Sequence, residues 1–388
     1  MMLSRWAPGR GVMSMSRWCQ ANAVGMAELV SVSTLSLEGV SAEKAPRAER
    51  WPLPGKPHGS VGTRHHLLPQ LHQRYFGNER GMIAVVDRVT GKRHVAPISD
   101  AIVEKDFYTS IDNDGAFDGR SDHLLTWIEG NVAPVMERIV RLGLFQRFPL
   151  QPVDVGNICL FLAFQITRGR AARRMAELMG DTYMHIMVPK DMDEDQAVAW
   201  LRTGGHEPTT ETIAQVRAIS EIVDDIEFVP DPNAHIGTMG RVALSLFEEL
   251  ICRPLYLAVY DEPSLLTCDE PVVLYFDEGR PLGHRAGVAL ADQIWFPMSP
   301  RHLLILGRGD RYGPPRRLDA DPASVDYVNL RIAANAYESI LMHPDQDHLA
   351  GIELPPPGPL YTVNAPGFPA LERHNHAPQR RRTQRRRR

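Results

Sequence analysis

Two adjacent histidines, His65 and His66, have the residue type for acid–base or metal chemistry. A histidine titrates near neutral pH, and its neutral ring is a common metal ligand. Neighbouring side chains of an extended strand point to opposite faces, so one ion rarely binds both. The sequence leaves two interpretations open: a catalytic or metal-binding pair, or a pair that hydrogen-bonds main-chain groups and fixes the start of the folded domain.

The stretch HHLLP is similar to the opening of an HNH nuclease motif, in which one histidine is the general base and its neighbour holds the metal. That motif also needs an asparagine and a later histidine on a short helix. Asn78 is available, but His94 falls in a predicted strand. The match therefore stops halfway.

The acid pair in LTCDEP is the second candidate, because Asp269 and Glu270 follow a short apolar run and precede a proline. Strand ends often present functional side chains, so Asp269 is a candidate metal ligand or general base. The alternative is a turn aspartate that accepts main-chain N–H groups.

A weaker hint of metal chemistry comes from Asp87 together with Glu104 and Lys105. Metal nucleases of the D…(D/E)-x-K type place the lysine two positions after the acid, on the same strand face. Here the lysine follows the acid immediately and faces away from it. We expect Asp87 to accept N–H groups in a hairpin turn instead.

The stretch TRGRAARR offers a candidate anion-binding site through Arg168 and Arg170. Arginine forks bind phosphate or carboxylate groups with two hydrogen bonds. The alternative is that these cations end an apolar helix, complement its C-terminal dipole and cover apolar surface with their stems.

Composition bounds the class of protein. The chain has 388 residues, 43% of them hydrophobic and 23% charged, as in ordinary globular proteins of one large or two smaller domains. Its four cysteines lie far apart, which predicts free thiols in a reducing compartment. The most apolar run, ICLFLAFQI, is much shorter than the roughly twenty residues of a membrane span. We expect a cytoplasmic protein without a transmembrane helix.

The charge is distributed unevenly along the chain. Residues 372–388 hold eight arginines and one glutamate, so the other residues carry 35 basic against 46 acidic side chains, or a net charge of −11. An acidic body repels nucleic acid over most of its surface. The arginine tail alone predicts weak, salt-dependent nucleic-acid binding.

The pattern of apolar residues predicts a hairpin, a helical block, a sheet and a closing helix. Met82 to Val86, a turn at Thr90 to Lys92 and a returning strand form the hairpin. Four helices follow: one capped by Ser121 with a kink at Pro134, one capped by Asp154, and two that begin at Pro208 and Pro232.

Short apolar runs then predict strands in PLYLAVY, SLLTCDEPVVLYF, AGVALADQIWFPMSP and RHLLILG. A last helix is expected from Pro322 through Ile340. The fold class is therefore α+β, with an N-terminal β-hairpin, a central helical block and a mainly antiparallel C-terminal sheet closed by a helix. We expect a single domain at 61–345, a disordered leader or an over-called start at 1–60, and a disordered Pro-rich then Arg-rich tail at 346–388.

Five motifs in order resemble an uncharacterised bacterial family, catalogued as domain of unknown function 4238. They are RHHLLPQLHQRYF, VVDRVTG, EKDFYT, LTCDEPVVLY and IWFPMSP, and the resemblance covers roughly residues 64 to 343. The chain departs from the family at Cys268, where serine is usual, at Glu270, where asparagine is common, and at Met298, where leucine is common. The loss of the serine hydroxyl puts any role for that hydroxyl in doubt. The resemblance implies kinship of fold and no reaction.

Absent motifs weigh against several enzyme classes. The sequence has no G-x-x-x-x-G-K-[ST], no G-x-G-x-x-G opening a helix, no G-x-S-x-G and no H-E-x-x-H. Two hypotheses remain. The first is an interaction or regulatory protein, in a setting such as stress response or phage defence. The second is a metal-dependent hydrolase, most plausibly a nuclease, in which His65, His66 and Asp269 hold a divalent metal in one cleft.

Overall fold

The structure is a computed structural model that describes residues 64–111, 117–142, 150–225, 232–277, 287–309, 314–358, 361–363 and 371–373. The predicted leader at 1–60 and the arginine run at 380–388 lie outside the described residues.

The described chain contains eight helices. They are α1 (Gln70–Phe76), α2 (Arg120–Leu142), α3 (Pro152–Thr167), α4 (Arg170–Met187), α5 (Glu194–Thr203), α6 (Thr210–Glu221), α7 (Pro232–Ile251) and α8 (Val325–Asn335).

Fifteen short strands are described. They are β1 (Arg64–His66), β2 (Met82–Asp87), β3 (Arg93–Pro97), β4 (Val103–Lys105), β5 (Ser110–Ile111), β6 (Phe117–Asp118), β7 (Leu255–Val259), β8 (Thr267–Cys268), β9 (Val273–Tyr275), β10 (Gln293–Ser299), β11 (His302–Gly307), β12 (Arg316–Asp319), β13 (Ser339–Met342), β14 (Tyr361–Val363) and β15 (Leu371–Arg373).

Two sheets carry the architecture. A five-stranded sheet has the order β12-β7-β11-β10-β9, antiparallel except that β12 runs parallel to β7. A four-stranded antiparallel sheet has the order β3-β2-β13-β8. The predicted hairpin is confirmed as β2 and β3, and it shares this sheet with two strands that come after the helical block. The α+β class is likewise confirmed.

The hairpin turn shows why the sequence folds this way locally. Asp87 Oδ1 accepts hydrogen bonds from the N–H groups of Val89 and Thr90 and from the Thr90 hydroxyl, at 2.7 to 3.0 Å. These bonds hold the pKa of Asp87 below its usual value, with the Thr90 N–H as the largest cause. Gly91 supplies the positive φ of +67° that closes the turn. Asp87 therefore does in the hairpin what the turn interpretation predicts.

Two large apolar cores lie in the described part of the chain. The first joins α2, α3 and α7 to one face of each sheet, through residues such as Phe76, Ile158, Phe164 and Phe296. The second lies between α8 and the opposite sheet faces and includes Leu265, Leu266, Ile332 and Ile340.

Two helix boundaries differ from the sequence expectation. Asp154 is the third residue of α3, and its carboxylate accepts the Gln151 N–H at 3.0 Å, so it closes the helix start from inside the first turn. Ser121 is likewise the second residue of α2, which begins at Arg120.

The closing helix is shorter than predicted, and this matters most for the candidate site. Helix α8 ends at Asn335, and Ile340 lies in the strand β13. Ile332, Ala336 and Ile340 keep a helical spacing of four, which hides the strand in the sequence. The corrected boundary puts Glu338 in a turn between a helix and a central strand.

The TRGRAARR stretch is also placed differently from the expectation. Helix α3 ends at Thr167 with Arg168 as its C-cap, and Arg170 is the first residue of α4. Arg170, Arg173 and Arg174 therefore lie at the start of a new helix and not at the end of the apolar one.

The described residues divide into two compact units: those within 64–172 and 232–373, and those within 173–225. The first unit holds both sheets and both large cores. In the second, Asp193 caps α5 and Thr209 caps α6 by accepting the N–H groups of Gln196 and Thr212. A small core of Val188, Met192 and Val223 holds these helices together.

None of the helices that the structure describes is long and apolar enough to cross a membrane.

Candidate functional site

Residues of three family motifs and of the TRGRAARR stretch lie together within the first unit, in a group that we call the polar cluster. It is built from β1, β4 and the residues after it, α2, the α3–α4 junction, the end of β8 and the turn between α8 and β13. Its charged and polar members are His65, Glu104, Tyr108, Glu129, Arg168, Arg170, Asp269, Glu270 and Glu338.

His65 is buried where β1 pairs with β4, directly opposite Glu104. Its Nδ1 accepts the N–H of Tyr108 at 2.9 Å, and the two rings lie 5.3 Å apart. Because Nδ1 uses its lone pair on this amide, the neutral ring carries its proton on Nε2, which is buried without a hydrogen-bond partner. Metal coordination by His65 would require the bond from the Tyr108 amide to break.

His66 lies on the other face of β1 and is half-buried. Its Nε2 lies 2.6 Å from Nε2 of Gln70, the first residue of α1. Burial lowers the pKa of His66, against the opposing effects of the Ala101 carbonyl and of Glu129. The ring is therefore neutral at physiological pH and held by the helix that follows it.

Arg168 ties the histidine segment to the end of α3. Its guanidinium donates to the carbonyls of Leu67, at 3.1 Å, and His66, at 3.4 Å, and forms a 2.8 Å ion pair with Glu129 on α2. The Arg168 side chain is only 2% exposed, so the pair is shielded from solvent screening. The Tyr108 hydroxyl donates to the Arg168 carbonyl at 3.0 Å, and burial raises the pKa of that hydroxyl. Every donor of Arg168 described here is used inside the protein.

Arg170 joins two carboxylates that are far apart in the sequence. Its Nε donates to Glu104 at 2.9 Å, and its Nη1 donates to Glu338 at 2.7 Å. Glu104 belongs to β4, and Glu338 lies just before β13. One guanidinium thus links the small β1–β4 ribbon to the four-stranded sheet.

Asp269 accepts three main-chain hydrogen bonds at the end of β8. The N–H of Tyr337 reaches Oδ1 at 2.8 Å, and the N–H groups of Glu338 and Ser339 reach Oδ2 at 2.8 and 3.1 Å. Burial raises the pKa of Asp269, whereas these donors and Arg170 favour its charged form. Both carboxylate oxygens therefore accept hydrogen bonds from the turn that leads into β13.

Glu270, like Asp269, accepts a main-chain N–H group with its carboxylate, in this case at the start of α4. Its Oε1 accepts the N–H of Ala171 at 3.0 Å, one residue into α4. A Cβ at Gly169 would overlap the Glu270 carboxylate, so a larger residue at this junction would displace that carboxylate. The Glu270 carbonyl accepts from Asn335 Nδ2 at 2.5 Å and from the Cys268 thiol at 3.1 Å.

The polar cluster contains more acid than base. Glu104, Glu129, Asp269, Glu270 and Glu338 face Arg168 and Arg170, and Glu338 is the most exposed of the ion-paired acids, at 35%. Burial raises the pKa of Glu338, and the nearby carboxylates add to the effect of burial while Arg170 opposes it. An excess of buried carboxylates favours proton uptake by the folded chain.

The structure thus links the predicted site residues indirectly. Arg170 bridges Glu104, the strand partner of His65, to Glu338, whose N–H binds Asp269. Among the described residues, no group of three His, Cys, Asp or Glu side chains is placed to hold a metal ion. The metal role of His65, His66 and Asp269 stays a prediction.

Sequence reasoning missed Glu129 and Glu338 as members of the cluster. Glu129 sits on the polar face of α2 with no motif around it, and Glu338 was assigned to a helix interior. For Glu270 the sequence did carry a signal, because it belongs to the quoted acid pair.

A buried serine–histidine pair lies outside the polar cluster. Ser299 Oγ is 2.7 Å from His302 Nδ1 at the β10–β11 hairpin, and it also accepts the N–H of Arg301 at 3.2 Å. Burial lowers the pKa of His302 to about 4. Such a ring is a weak general base at neutral pH, so the pair fits a hairpin lock better than a nucleophile with its base.

The chain belongs to a family described as Protein of unknown function (DUF4238), whose model matches residues 64–346. The match begins at the first residue of β1 and includes the whole polar cluster. Neither the curated proteins nor the solved structures contain a match.

Proposed function

We propose that the chain is a cytoplasmic interaction or regulatory protein whose family motifs form a scaffold. The observation that carries this proposal is that the polar atoms of the motif side chains hydrogen-bond the protein's own main chain. His65, Asp269 and Arg168 all bind main-chain groups of segments distant in sequence. A catalytic group needs a lone pair or proton that a substrate can reach.

The bonding pattern explains why these residue types stand at these positions. Asp269 satisfies three N–H groups that a buried turn would otherwise leave without acceptors, and each such loss costs about 1–3 kcal/mol. Arg168 satisfies two carbonyls of the HHLLP segment. Removing either side chain should therefore destabilise the polar cluster and leave the exposed surface of the protein unchanged.

The alternative is a metal-dependent hydrolase with His65, His66 and Asp269 as ligands. It would require His65 to release the Tyr108 amide and Asp269 to release at least one of its three amide donors. The cost of these steps favours the scaffold.

The experiment is metal content by mass spectrometry together with thermal unfolding, on protein purified without chelator or histidine tag. The variants are His65→Ala and Asp269→Ala, with His94→Ala and Asp261→Ala as controls at exposed positions. We expect less than a tenth of a metal equivalent in the parent, a lower melting temperature in both cluster variants, and no change in the controls. Near-stoichiometric metal that both cluster variants lose while remaining folded would overturn the proposal in favour of the hydrolase.

A further inference from the structure

The segment that follows β13, residues 343–358, lies across the first unit without regular secondary structure, and we call it the strap. Its described backbone hydrogen bonds are local ones. The N–H of Gln346 binds the His343 carbonyl at 3.1 Å, and the N–H of Ile352 binds the Leu349 carbonyl at 3.0 Å. The strap therefore depends on side chains for its attachment.

Two polar anchors hold the first part of the strap. Arg93, an exposed residue of β3, donates to the carbonyls of Pro344 at 2.6 Å and Gln346 at 2.9 Å. Gln346 Nε2 in turn donates to the Pro263 carbonyl at 3.2 Å. Hydrogen bonds this close to solvent contribute little net stability, because water can take the place of the donor.

Two leucines hold the second part. Leu349 and Leu354 are half-buried and pack against the second core, which contains Leu265 and Leu266. Three prolines, Pro355 to Pro357, follow at once and restrict the backbone before it binds. The strap thus has the features of a bound extended peptide: two apolar side chains five residues apart, few anchors and a stiff end.

Only the first four residues of the strap, 343–346, belong to the part of the chain that matches the family model. The residues that match the family model end at 346, and both leucines come after that point. The second core is covered there by a segment outside the family match.

We propose that the strap is displaceable, and that the surface beneath it binds the same segment of a second copy of the chain. This inference rests on the proposed function, because it names a partner for an interaction protein. Segments with few buried contacts open at a low free-energy cost. Exchange of an identical segment restores the same contacts in both copies, which makes it an inexpensive route to a dimer.

The test uses full-length protein and a fluorescently labelled synthetic peptide of residues 343–358. In the parent, the attached strap competes with the peptide at high effective concentration. In the double variant Leu349→Ser, Leu354→Ser the attached strap competes less well. We expect at least tenfold tighter peptide binding to the variant than to the parent. A peptide that carries the same two serines should bind neither protein.

Equal binding of the leucine and serine peptides, or no binding to a folded variant, would overturn the inference. Should the double variant fail to fold, Arg93→Ala weakens the strap without touching the second core, and the peptide should then bind about twofold more tightly to this variant than to the parent. Leu318→Ser, an exposed leucine on β12, is the matched control and should bind the peptide as the parent does.

The two proposals fail separately. Stoichiometric metal in the parent would rule out the scaffold proposal, and the peptide measurement would still show whether the strap can be displaced. Absent peptide binding would remove the displaceable strap and leave the metal result as it stands.

Discussion

The polar cluster and the strap both join residues far apart in the sequence, but by different physical means. The cluster uses buried ion pairs and carboxylates that accept main-chain N–H groups, as Asp269 and Arg168 do. The strap uses the exposed guanidinium of Arg93 and two half-buried leucines. Cutting a bond in the cluster leaves buried polar groups unsatisfied, whereas water can replace an anchor of the strap. Removing the same number of hydrogen bonds should therefore lower the stability of the protein much more in the polar cluster than in the strap.

The largest effect is expected from Asp269→Ala. The change removes the acceptor of three main-chain N–H groups, while Arg170 keeps its ion pairs with Glu104 and Glu338. Each N–H group left without an acceptor costs about 1–3 kcal/mol in the free energy of unfolding, so the three together make this the largest expected loss. Urea unfolding followed by circular dichroism measures it.

Asp269→Asn separates shape from charge. The amide keeps one oxygen acceptor but turns an NH₂ group towards main-chain donors. We expect a loss only slightly smaller than that of the alanine variant. An asparagine variant as stable as the parent would mean that the three amide bonds are not what stabilises the turn.

Acid should weaken the fold through His72, which is fully buried and lies 2.7 Å from the Pro297 carbonyl through Nε2. Burial lowers the pKa of His72 to about 4, whereas the unfolded chain protonates it near its ordinary value of 6.5. Between these values the unfolded state binds the extra proton, so stability falls as the pH falls from 6.5 to 4. The full loss is about 3 kcal/mol, at 1.36 kcal/mol for each pKa unit.

The substitution His72→Gln isolates this effect, because glutamine keeps an N–H donor and does not titrate. We expect the gap in stability between parent and variant to narrow as the pH falls from 7 to 4. Asp269 and Glu338 act in the opposite direction, since their raised pKa values let the folded chain take up protons. A constant gap across this range would mean that His72 takes up its proton equally in the folded and the unfolded chain, so that burial does not lower its pKa.

Gly169→Ala should cost about 1–3 kcal/mol, the usual range for overpacking a buried site. The new Cβ would overlap the Glu270 carboxylate, which caps α4 through Ala171. Gly130 is the matched control, because a Cβ there meets open space inside α2. Gly130→Ala should stabilise the chain by about 1 kcal/mol through helix propensity. Thermal unfolding of both variants gives the comparison.

A double variant with Glu270→Ala tests the cause of the Gly169→Ala effect. If the clash is responsible, the second substitution should remove most of the added cost, giving a coupling between the two sites. Additive effects would place the strain elsewhere in the α3–α4 junction.

The sequence predicts elements where one period dominates over many residues. Helix α7, which begins at Pro232, and the β2–β3 hairpin were located this way. Prediction failed where short elements share a period with their neighbours. Ile340 keeps the helical spacing of α8 and yet belongs to β13. Helices α4 and α5 were missed, because Gly169 and Arg170 read as the end of an apolar helix.

The sequence indicates those residues of the candidate site that lie within short motifs, but not the partners that they contact. The quoted motifs contain His65, Arg168, Asp269 and Glu270, and each of these side chains hydrogen-bonds a main-chain group. Their partners Glu129 and Glu338 lie on other elements, and no spacing in the sequence links them. Pairings of this range are set by how the sheets and helices pack, so the charge balance of the cluster appears only in three dimensions.

The smallest effect is expected from the strap anchor, Arg93→Ala, at about 0.5 kcal/mol or less, as for other exposed polar contacts. Arg93 is exposed, and water can hydrate the carbonyls of Pro344 and Gln346 when the guanidinium is removed. The change should appear instead in amide hydrogen exchange, as faster exchange confined to residues 343–358 with the β2 amides unchanged. Faster exchange across β2 and β13 as well would mean that the strap is part of the cooperative fold, and the contrast between the two regions would disappear.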